Sequence, residues 1–187
     1  FQDKNVGLAS VRAGNVIGGG DWANNRLIPD ILKSFENKRP VIIRNPKATR
    51  PWQHVLEPLS GYLILAQKLY MDQKKYAEGW NFGPNDKDVK PVDWILKKMT
   101  SHWTNSKWET DKNSNLHEAE FLKLDISKAK IKLGWTPVWE LSYTLEKIIT
   151  WHRAWLDNEN MQTICLSEIE KFMNDRINYK LIKKNEV

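Results

Sequence analysis

Two segments of the sequence combine residue types that can hold a phosphorylated ligand. The first runs from Arg12 to Trp22 and contains Gly14, Asn15 and three consecutive glycines at 18–20, all after a short apolar run. A glycine-rich turn after a buried strand lets the backbone approach a ligand, and its N–H groups can bind phosphate oxygens. The segment matches neither G-x-G-x-x-G nor a P-loop, because no Lys-Ser/Thr pair follows the glycines. On pattern alone, an ordinary tight loop is an equal interpretation.

The second segment, residues 43–54, places Arg44 and Arg50 six positions apart across a predicted turn, with Trp52 and His54 close by. A planar guanidinium group matches phosphate in geometry, and such a charge-assisted hydrogen bond contributes roughly 1.5–3 kcal/mol. An aromatic ring stacked on a base contributes roughly 1–3 kcal/mol. The segment therefore predicts an anion and base-stacking site. Surface arginines that flank a hairpin are the alternative.

His117 and Glu118 form a third pair of polar neighbours, in a stretch without apolar periodicity. A zinc-binding His-Glu-x-x-His helix needs a second histidine four positions after the first, and position 121 is Phe. We therefore predict no metal site at this pair.

Three Tyr-x-x-x-Lys matches, which begin at Tyr70, Tyr143 and Tyr179, have the spacing of a short-chain dehydrogenase catalytic pair. In such a pair the lysine lowers the pKa of the phenol, which then serves as acid and base. The spacing arises by chance in a lysine-rich helical chain. All three matches lie well after the Arg12 loop, whereas the catalytic helix of those enzymes precedes the equivalent strand. We predict that none of them is catalytic.

The chain has 187 residues, of which 41% are apolar and 28% charged, the composition of an ordinary globular protein. Its net charge of +6 is compatible with nucleic-acid binding, but its lysines are scattered among acidic residues, which favours a small phosphorylated ligand. No apolar run is long enough to cross a membrane. The single Cys165 excludes a disulfide framework and suits a reducing cytoplasm.

Strand-like and helix-like segments alternate along the chain, which predicts an α/β or α+β fold in one domain. The predicted strands are 6–11, 41–43, 52–55, 79–83, 107–109 and 121–124, and the predicted helices are 26–37, 57–71, 91–103, 127–133, 141–156 and 166–181.

The ten tryptophans exceed ordinary usage. Trp22, Trp52 and Trp80 lie inside or beside the segments that could bind a ligand, so we expect part of the excess to line a pocket.

Several blocks of sequence closely resemble the bacterial CDP-glucose 4,6-dehydratases, which are extended short-chain dehydrogenases. The Arg-Ala-Gly-Asn-Val and Arg-Pro-Trp-Gln-His blocks are the most specific of them. The blocks that carry the resemblance are 12–22, 26–30, 43–62, 78–84, 117–119, 122–125 and 133–137.

The resemblance implies that residues 1–187 form the C-terminal, substrate-binding portion of such an enzyme. Late strands of the Rossmann-type sheet are expected near 6–16, followed by a smaller mixed α/β region. In the family, the NAD fingerprint and the Tyr-Lys catalytic pair lie in the N-terminal part, and this chain opens on Phe1 rather than Met. We therefore expect no catalytic residue here, and NAD bound mainly by the absent part.

The resemblance also implies roles for individual residues. Asn15 is expected against the diphosphate or sugar, Arg26 and Arg50 on the diphosphate, and Ile43 with Arg44 beside the cytosine and ribose. His117 and Glu118 are expected to close over the ribose and phosphates. The remaining expected contacts are Leu27, Trp52 and Asn81 for the substrate, and Arg12 together with Asn15 for the cofactor. Asn25 and Leu116 depart from the family pattern, in which we expect Asp and Pro.

The implied activity converts CDP-D-glucose to CDP-4-dehydro-6-deoxy-D-glucose in the cytoplasm, within dideoxysugar and O-antigen synthesis. The implied partners are CDP-glucose and further copies of the enzyme, with neither nucleic acid nor membrane. Two alternatives stay open. One is a stand-alone nucleotide-sugar or RNA-binding module, and the other is the same part of another nucleotide-sugar dehydratase or epimerase.

Overall fold

The computed structural model describes residues 6–111 and 121–185, with side chains described to residue 182. Strands and helices alternate through most of it. The strands are β1 (Ser10–Ala13), β2 (Asn15–Ile17), β3 (Val41–Ile43), β4 (Thr49–His54), β5 (Gly79–Phe82), β6 (Val89–Pro91) and β7 (Trp108–Thr110). The helices are α1 (Leu27–Glu36), α2 (Leu56–Met71), α3 (Gln73–Tyr76), α4 (Val92–Ser101), α5 (Leu141–Leu156) and α6 (Met161–Asn185).

The strands form three small sheets, and parallel pairing dominates. β1 pairs in parallel with β5, β2 in parallel with β4, and β3 in parallel with β7. β6 joins the outer side of β4 in the antiparallel direction. Each parallel pair is connected through helical segments, as parallel pairing requires. The predicted α/β class is confirmed.

Most predicted elements are present within a few residues of their expected bounds, and α5 has the bounds predicted for it. Three predictions were wrong in detail. The glycine-rich segment after β1 begins with a second strand, β2, rather than a continuous loop. The strand predicted over 121–124 reduces to one bridge between Phe121 and Thr49. Helix α6 is nine residues longer than predicted. The helix predicted over 127–133 is present, and its geometry is π-helical over Ala129–Leu133.

Two hydrophobic clusters form the interior. The larger one packs α1, α4 and α5 against β3 and β4, and the smaller one packs α2 and β5 around Trp80, Phe82 and Trp135. The amphipathic periodicity explains this: Ile28, Ile31, Leu32 and Phe35 all lie on the buried face of α1. In the described residues, no helix has the length and apolarity to cross a membrane.

The packing of α2 on β5 depends on a glycine. A Cβ atom at Gly61 would lie 2.3 Å from two ring atoms of Phe82, which is itself fully buried. The helix can therefore approach the strand only if position 61 has no side chain.

We expect Gly61→Ala to lower the free energy of unfolding by roughly 2 kcal/mol, because the added methyl group overpacks the Phe82 ring. Gly79→Ala is the control, since a Cβ there meets its nearest atom at 3.4 Å. Urea unfolding followed by circular dichroism measures both variants. Equal stability of the two variants would contradict the overpacking argument.

Candidate functional site

The glycine-rich segment crosses from one sheet to another at Gly14. Its backbone N–H donates to the carbonyl of Phe82 at 3.0 Å, and a Cβ atom on it would lie 2.2 Å from the carbonyl oxygen of Pro51. Position 14 must be a glycine because the two strands approach each other so closely there. In the register of β2 and β4, the next residue, Asn15, lies directly beside Trp52. The two segments singled out in the sequence thus meet as adjacent strands.

These strands, the start of α1 and the end of β3 enclose a cavity of about 560 Å³. The structure brings together seven of the residues predicted from the sequence to contact the ligand. The cavity is lined by Asn15, Arg26, Leu27, Ile43, Arg44, Arg50 and Trp52.

Charge in the cavity favours an anion. Arg26, Arg44 and Arg50 contribute three guanidinium groups against the carboxylates of Asp21 and Asp30. Arg26 contacts Asp21 at 3.4 Å, but its side chain is 64% exposed, so solvent screens this ion pair and little energy is needed to open it. Arg50 is half-buried on β4, and its Nη1 donates to the carbonyl of Thr49 at 3.0 Å.

Asn25, a departure from the family pattern, also lines the cavity and has a positive φ of 61°. Asparagine is among the few residues other than glycine that tolerate this left-handed conformation, as Asp also does. The substitution therefore keeps the turn that leads into Arg26 and α1.

The Arg-Pro-Trp-Gln-His block points its side chains in different directions. Trp52 lines the cavity, but it is 5% exposed and its Nε1 donates to the carbonyl of Lys90 at 3.2 Å, so it acts as a wall. Gln53 donates to the carbonyl of Phe82 at 2.8 Å. His54 is buried outside the cavity, and burial, with a smaller effect of the nearby Lys147, lowers its pKa to about 4. His54, which lies beside the arginines in the sequence, therefore does not line the cavity, and its neutral form is favoured in the interior.

Other predicted site residues lie apart from the cavity. Arg12 and Asn81 are side by side in the register of β1 and β5, on a different sheet. Arg12 is exposed, and Asn81 donates to the carbonyl of Asp125 at 3.1 Å. His117 and Glu118 lie outside the described residues.

The tryptophans are divided between ligand cavity and core. Trp80 is 1% exposed and donates to the carbonyl of Tyr76 at 3.1 Å, so it belongs to the smaller hydrophobic cluster. Trp22 is 53% exposed and packs on Trp155 at a centroid distance of 4.5 Å, outside the cavity. Of the three tryptophans expected near the ligand, only Trp52 lines the cavity.

Glu57 is a buried carboxyl group that the sequence did not single out. It is fully buried at the start of α2, and its Oε1 accepts hydrogen bonds from the backbone N–H groups of Val138 at 2.8 Å and Trp139 at 2.7 Å. Burial raises the pKa of Glu57 to about 7, and these hydrogen bonds only partly oppose the effect. An acidic residue in the first turn of a helix is ordinary, so no sequence signal marks it.

No group of three histidine, cysteine, aspartate or glutamate side chains in the described residues is arranged to hold a metal ion.

Comparison with known proteins places the fold in a class. No family model matches the chain. A UDP-glucose-4-epimerase from Stenotrophomonas maltophila superimposes with a TM-score of 0.69 at 16% identity, over 84% of this chain and 51% of that one. A dTDP-glucose 4,6-dehydratase from Bacillus anthracis superimposes with a TM-score of 0.61 at 17% identity, over 78% of this chain and 44% of that one. The fold is that of the C-terminal region of extended short-chain dehydrogenases.

One curated relative is more specific. Over 175 residues, 93% of this chain, the sequence is 56% identical to the CDP-glucose 4,6-dehydratase of Salmonella typhimurium, and the match covers 49% of that enzyme. The predicted resemblance is confirmed. The chain spans about half the length of the curated relative that it matches.

The buried carboxyl group predicts a pH effect on stability. Glu57 has its pKa raised from 4.5 to about 7 in the folded protein, so its contribution is full below pH 4.5 and is lost as the pH rises through 7. Replacing Glu57 by Gln removes this titration. We expect the free energy of unfolding of Glu57→Gln, relative to the unmodified protein, to rise by roughly 2.5 kcal/mol between pH 5 and pH 8.

Urea unfolding at pH 5, 6, 7 and 8 measures this difference. His54 titrates in both proteins, so its effect cancels in the comparison. Glu109→Gln, at an exposed position on β7, is the matched control and should leave the pH profile unchanged. Parallel profiles for Glu57→Gln and the unmodified protein would refute a raised pKa at Glu57.

Proposed function

We propose that this chain supplies the CDP-glucose-binding part of a CDP-glucose 4,6-dehydratase. The observation that carries the proposal is the convergence of Arg26, Arg44 and Arg50 on one cavity, in a chain 56% identical to such an enzyme. A nucleoside diphosphate sugar carries two phosphate charges between an aromatic base and a neutral sugar. The cavity offers guanidinium groups for the diphosphate and apolar walls from Leu27, Ile43 and other residues.

The proposed reaction is CDP-D-glucose to CDP-4-dehydro-6-deoxy-D-glucose and water. Oxidation at C4 makes the C5 proton acidic, water leaves across C5 and C6, and a hydride adds to C6. NAD, when bound, accepts and returns that hydride. In the proposed enzyme the Tyr-Lys acid and base pair and most of the NAD site lie in the part of the relative that this chain does not match.

The residues of this chain position the substrate. A sugar held by its diphosphate presents C4 to C6 in a fixed orientation, and such orientation is a large part of catalysis. Asn15 lines the cavity and directly follows Gly14, whose missing side chain leaves the backbone close to β4. Asn15 therefore fits a position between sugar and cofactor. Arg12 is exposed on β1 and lies outside the cavity, and we assign it to the cofactor because the resemblance to the family implies that role.

The same geometry suits other nucleotide sugars. A structurally similar protein, MoeE5 in complex with UDP-glucuronic acid and NAD, superimposes with a TM-score of 0.64 at 18% identity, over 79% of this chain and 47% of that one. A dehydratase or epimerase for another nucleotide is therefore the second candidate. The sequence identity to a CDP-glucose enzyme favours cytosine. An RNA-binding module is less consistent with the two acidic residues in the cavity.

Nucleotide preference separates these candidates. The complete protein, supplied with NAD, is assayed for 4-keto sugar formation from CDP-, UDP-, dTDP- and GDP-glucose. We expect kcat/KM to be at least roughly tenfold higher for CDP-glucose, because pocket contacts to a base commonly discriminate by 1–3 kcal/mol. A preference for another nucleotide would refute the assignment. We also expect the 187 residues by themselves to turn over no CDP-glucose.

Arg50→Ala tests the diphosphate role. We expect KM for CDP-glucose to rise roughly tenfold or more, because a charge-assisted phosphate contact contributes about 1.5–3 kcal/mol, while bound NAD is retained. Arg39→Ala is the matched control, since Arg39 is exposed and does not line the cavity. Steady-state kinetics and NAD content measure both variants. An unchanged KM in Arg50→Ala would exclude this role.

A further inference from the structure

The glycine run at residues 18–20 lies against the side chain of Trp151, which belongs to α5. A Cβ atom at Gly19 would lie 2.2 Å from the Cδ2 atom of that ring and 2.3 Å from its Cγ atom. A Cβ atom at Gly20 would lie 3.4 Å from the Cη2 atom at the far end of the ring. The backbone therefore crosses the indole along its length, and at Gly19 it leaves no room for a side chain.

The indole of Trp151 has a fixed orientation. Trp151 is 8% exposed, and its Nε1 donates to the Sγ atom of Cys165 on α6 at 3.3 Å. Trp22, which follows the glycine run, packs on the same helix, with centroid distances of 6.2 Å to Trp151 and 4.5 Å to Trp155. Two rings of α5 thus contact this segment at successive points.

The residues between the glycine run and α1 provide one wall of the ligand cavity. Asp21, Asn25 and Arg26 all line it. The hydrogen bonds of Asp21 are local, since it accepts from the backbone N–H of Ala23 at 3.1 Å and from Arg26 at 3.4 Å. They shape the segment but do not tie it to another element. The contacts with α5 supply such a tie, although α5, which the structure describes in full, contributes no residue to the cavity lining.

We propose that Trp151 is a positioning residue for this site: its ring fixes the height of the glycine run and, through it, the place of Arg26 in the cavity. The inference rests on the proposed function, in which Arg26 binds the diphosphate. A guanidinium group contributes to binding only where its N–H groups come within hydrogen-bond distance of the phosphate oxygens. A displacement of about 1 Å therefore weakens the contact. The fused rings of tryptophan reach both Gly19 and Gly20, whereas a smaller side chain leaves one of them without support.

Steady-state kinetics of the complete protein, supplied with NAD, test the inference. We expect Trp151→Leu to raise KM for CDP-glucose roughly tenfold, the size of a lost charge-assisted phosphate contact, with a smaller change in kcat. Trp103→Leu is the matched control. Trp103 also packs on α5, with its ring centroid 6.2 Å from that of His152, but it does not line the cavity, so KM should stay unchanged. Thermal unfolding verifies that each variant is folded.

A double-variant cycle shows whether Trp151 acts through Arg26. Arg26→Ala by itself should raise KM roughly tenfold or more. In the Arg26→Ala background, Trp151→Leu should then change KM less than about twofold, whereas independent effects would multiply to about a hundredfold. A purely structural role of Trp151 predicts the multiplied effect.

Gly19→Ala tests the same contact from the other side. The added methyl group does not fit against the ring, so the glycine run must move, and we expect KM to rise roughly tenfold. In the double variant Gly19→Ala with Trp151→Leu, the methyl group occupies space that the indole has left, and KM should be lower than in Gly19→Ala. Because position 19 is exposed, Gly19→Ala also replaces Trp151→Leu in the cycle with Arg26→Ala if the latter does not fold.

The outcomes separate this inference from the proposed function. A KM that rises in Trp151→Leu and Gly19→Ala but not in Trp103→Leu, and that rises no further in the Arg26→Ala background, supports the inference. An unchanged KM in the first two variants, an equal rise in Trp103→Leu, or multiplied effects with Arg26→Ala overturns it while the proposed function stands. An unchanged KM in Arg26→Ala contradicts the diphosphate role itself, and the inference falls with it.

Discussion

The carboxyl group of Glu57 joins the elements of the two hydrophobic clusters that form the interior. It lies at the start of α2, which packs in the smaller hydrophobic cluster, and it accepts hydrogen bonds from the backbone of Val138 and Trp139 just before α5. Helix α5 packs in the larger cluster. A buried carboxyl group that lacked these hydrogen-bond donors would destabilise the folded protein. The backbone at residues 138–139 is therefore kept within hydrogen-bonding distance of Glu57.

The consequence for β4 is direct, because β4 runs straight into α2. Its Arg50 and Trp52 line the cavity, while Gln53 reaches the carbonyl of Phe82 on β5 and His54 lies in the interior. A strand that serves the ligand cavity and two packed interfaces cannot shift by one residue without moving every side chain to the wrong surface. The position of Arg50 thus depends on the same buried polar contacts that join α2 to the segment before α5.

The pKa values of two buried polar groups in this region are shifted in opposite directions. Burial raises the pKa of Glu57 to about 7 and lowers that of His54 to about 4. Both groups are therefore favoured in their neutral forms in the folded protein. Between about pH 4 and pH 7 both groups are therefore mainly uncharged, whereas the charged side chains that line the cavity are arginines and aspartates.

The sequence by itself determined the α/β class and most helices through apolar periodicity, and it singled out Asn15, Arg44, Arg50 and Trp52 through residue types that suit a phosphorylated ligand. The resemblance to the dehydratase family added Arg26, Leu27 and Ile43, which also line the cavity. Tertiary structure alone decided the surroundings of His54, Trp80 and Asn81. Each lies close in sequence to residues that suit a phosphorylated ligand, but in the folded protein its side chain is buried or hydrogen-bonded elsewhere. It also revealed Glu57, whose partners lie more than 80 residues away, and the contact of Trp151 with the glycine run. Local pattern fixes which surface of an element is apolar; the packing of distant elements decides whether that surface faces the core.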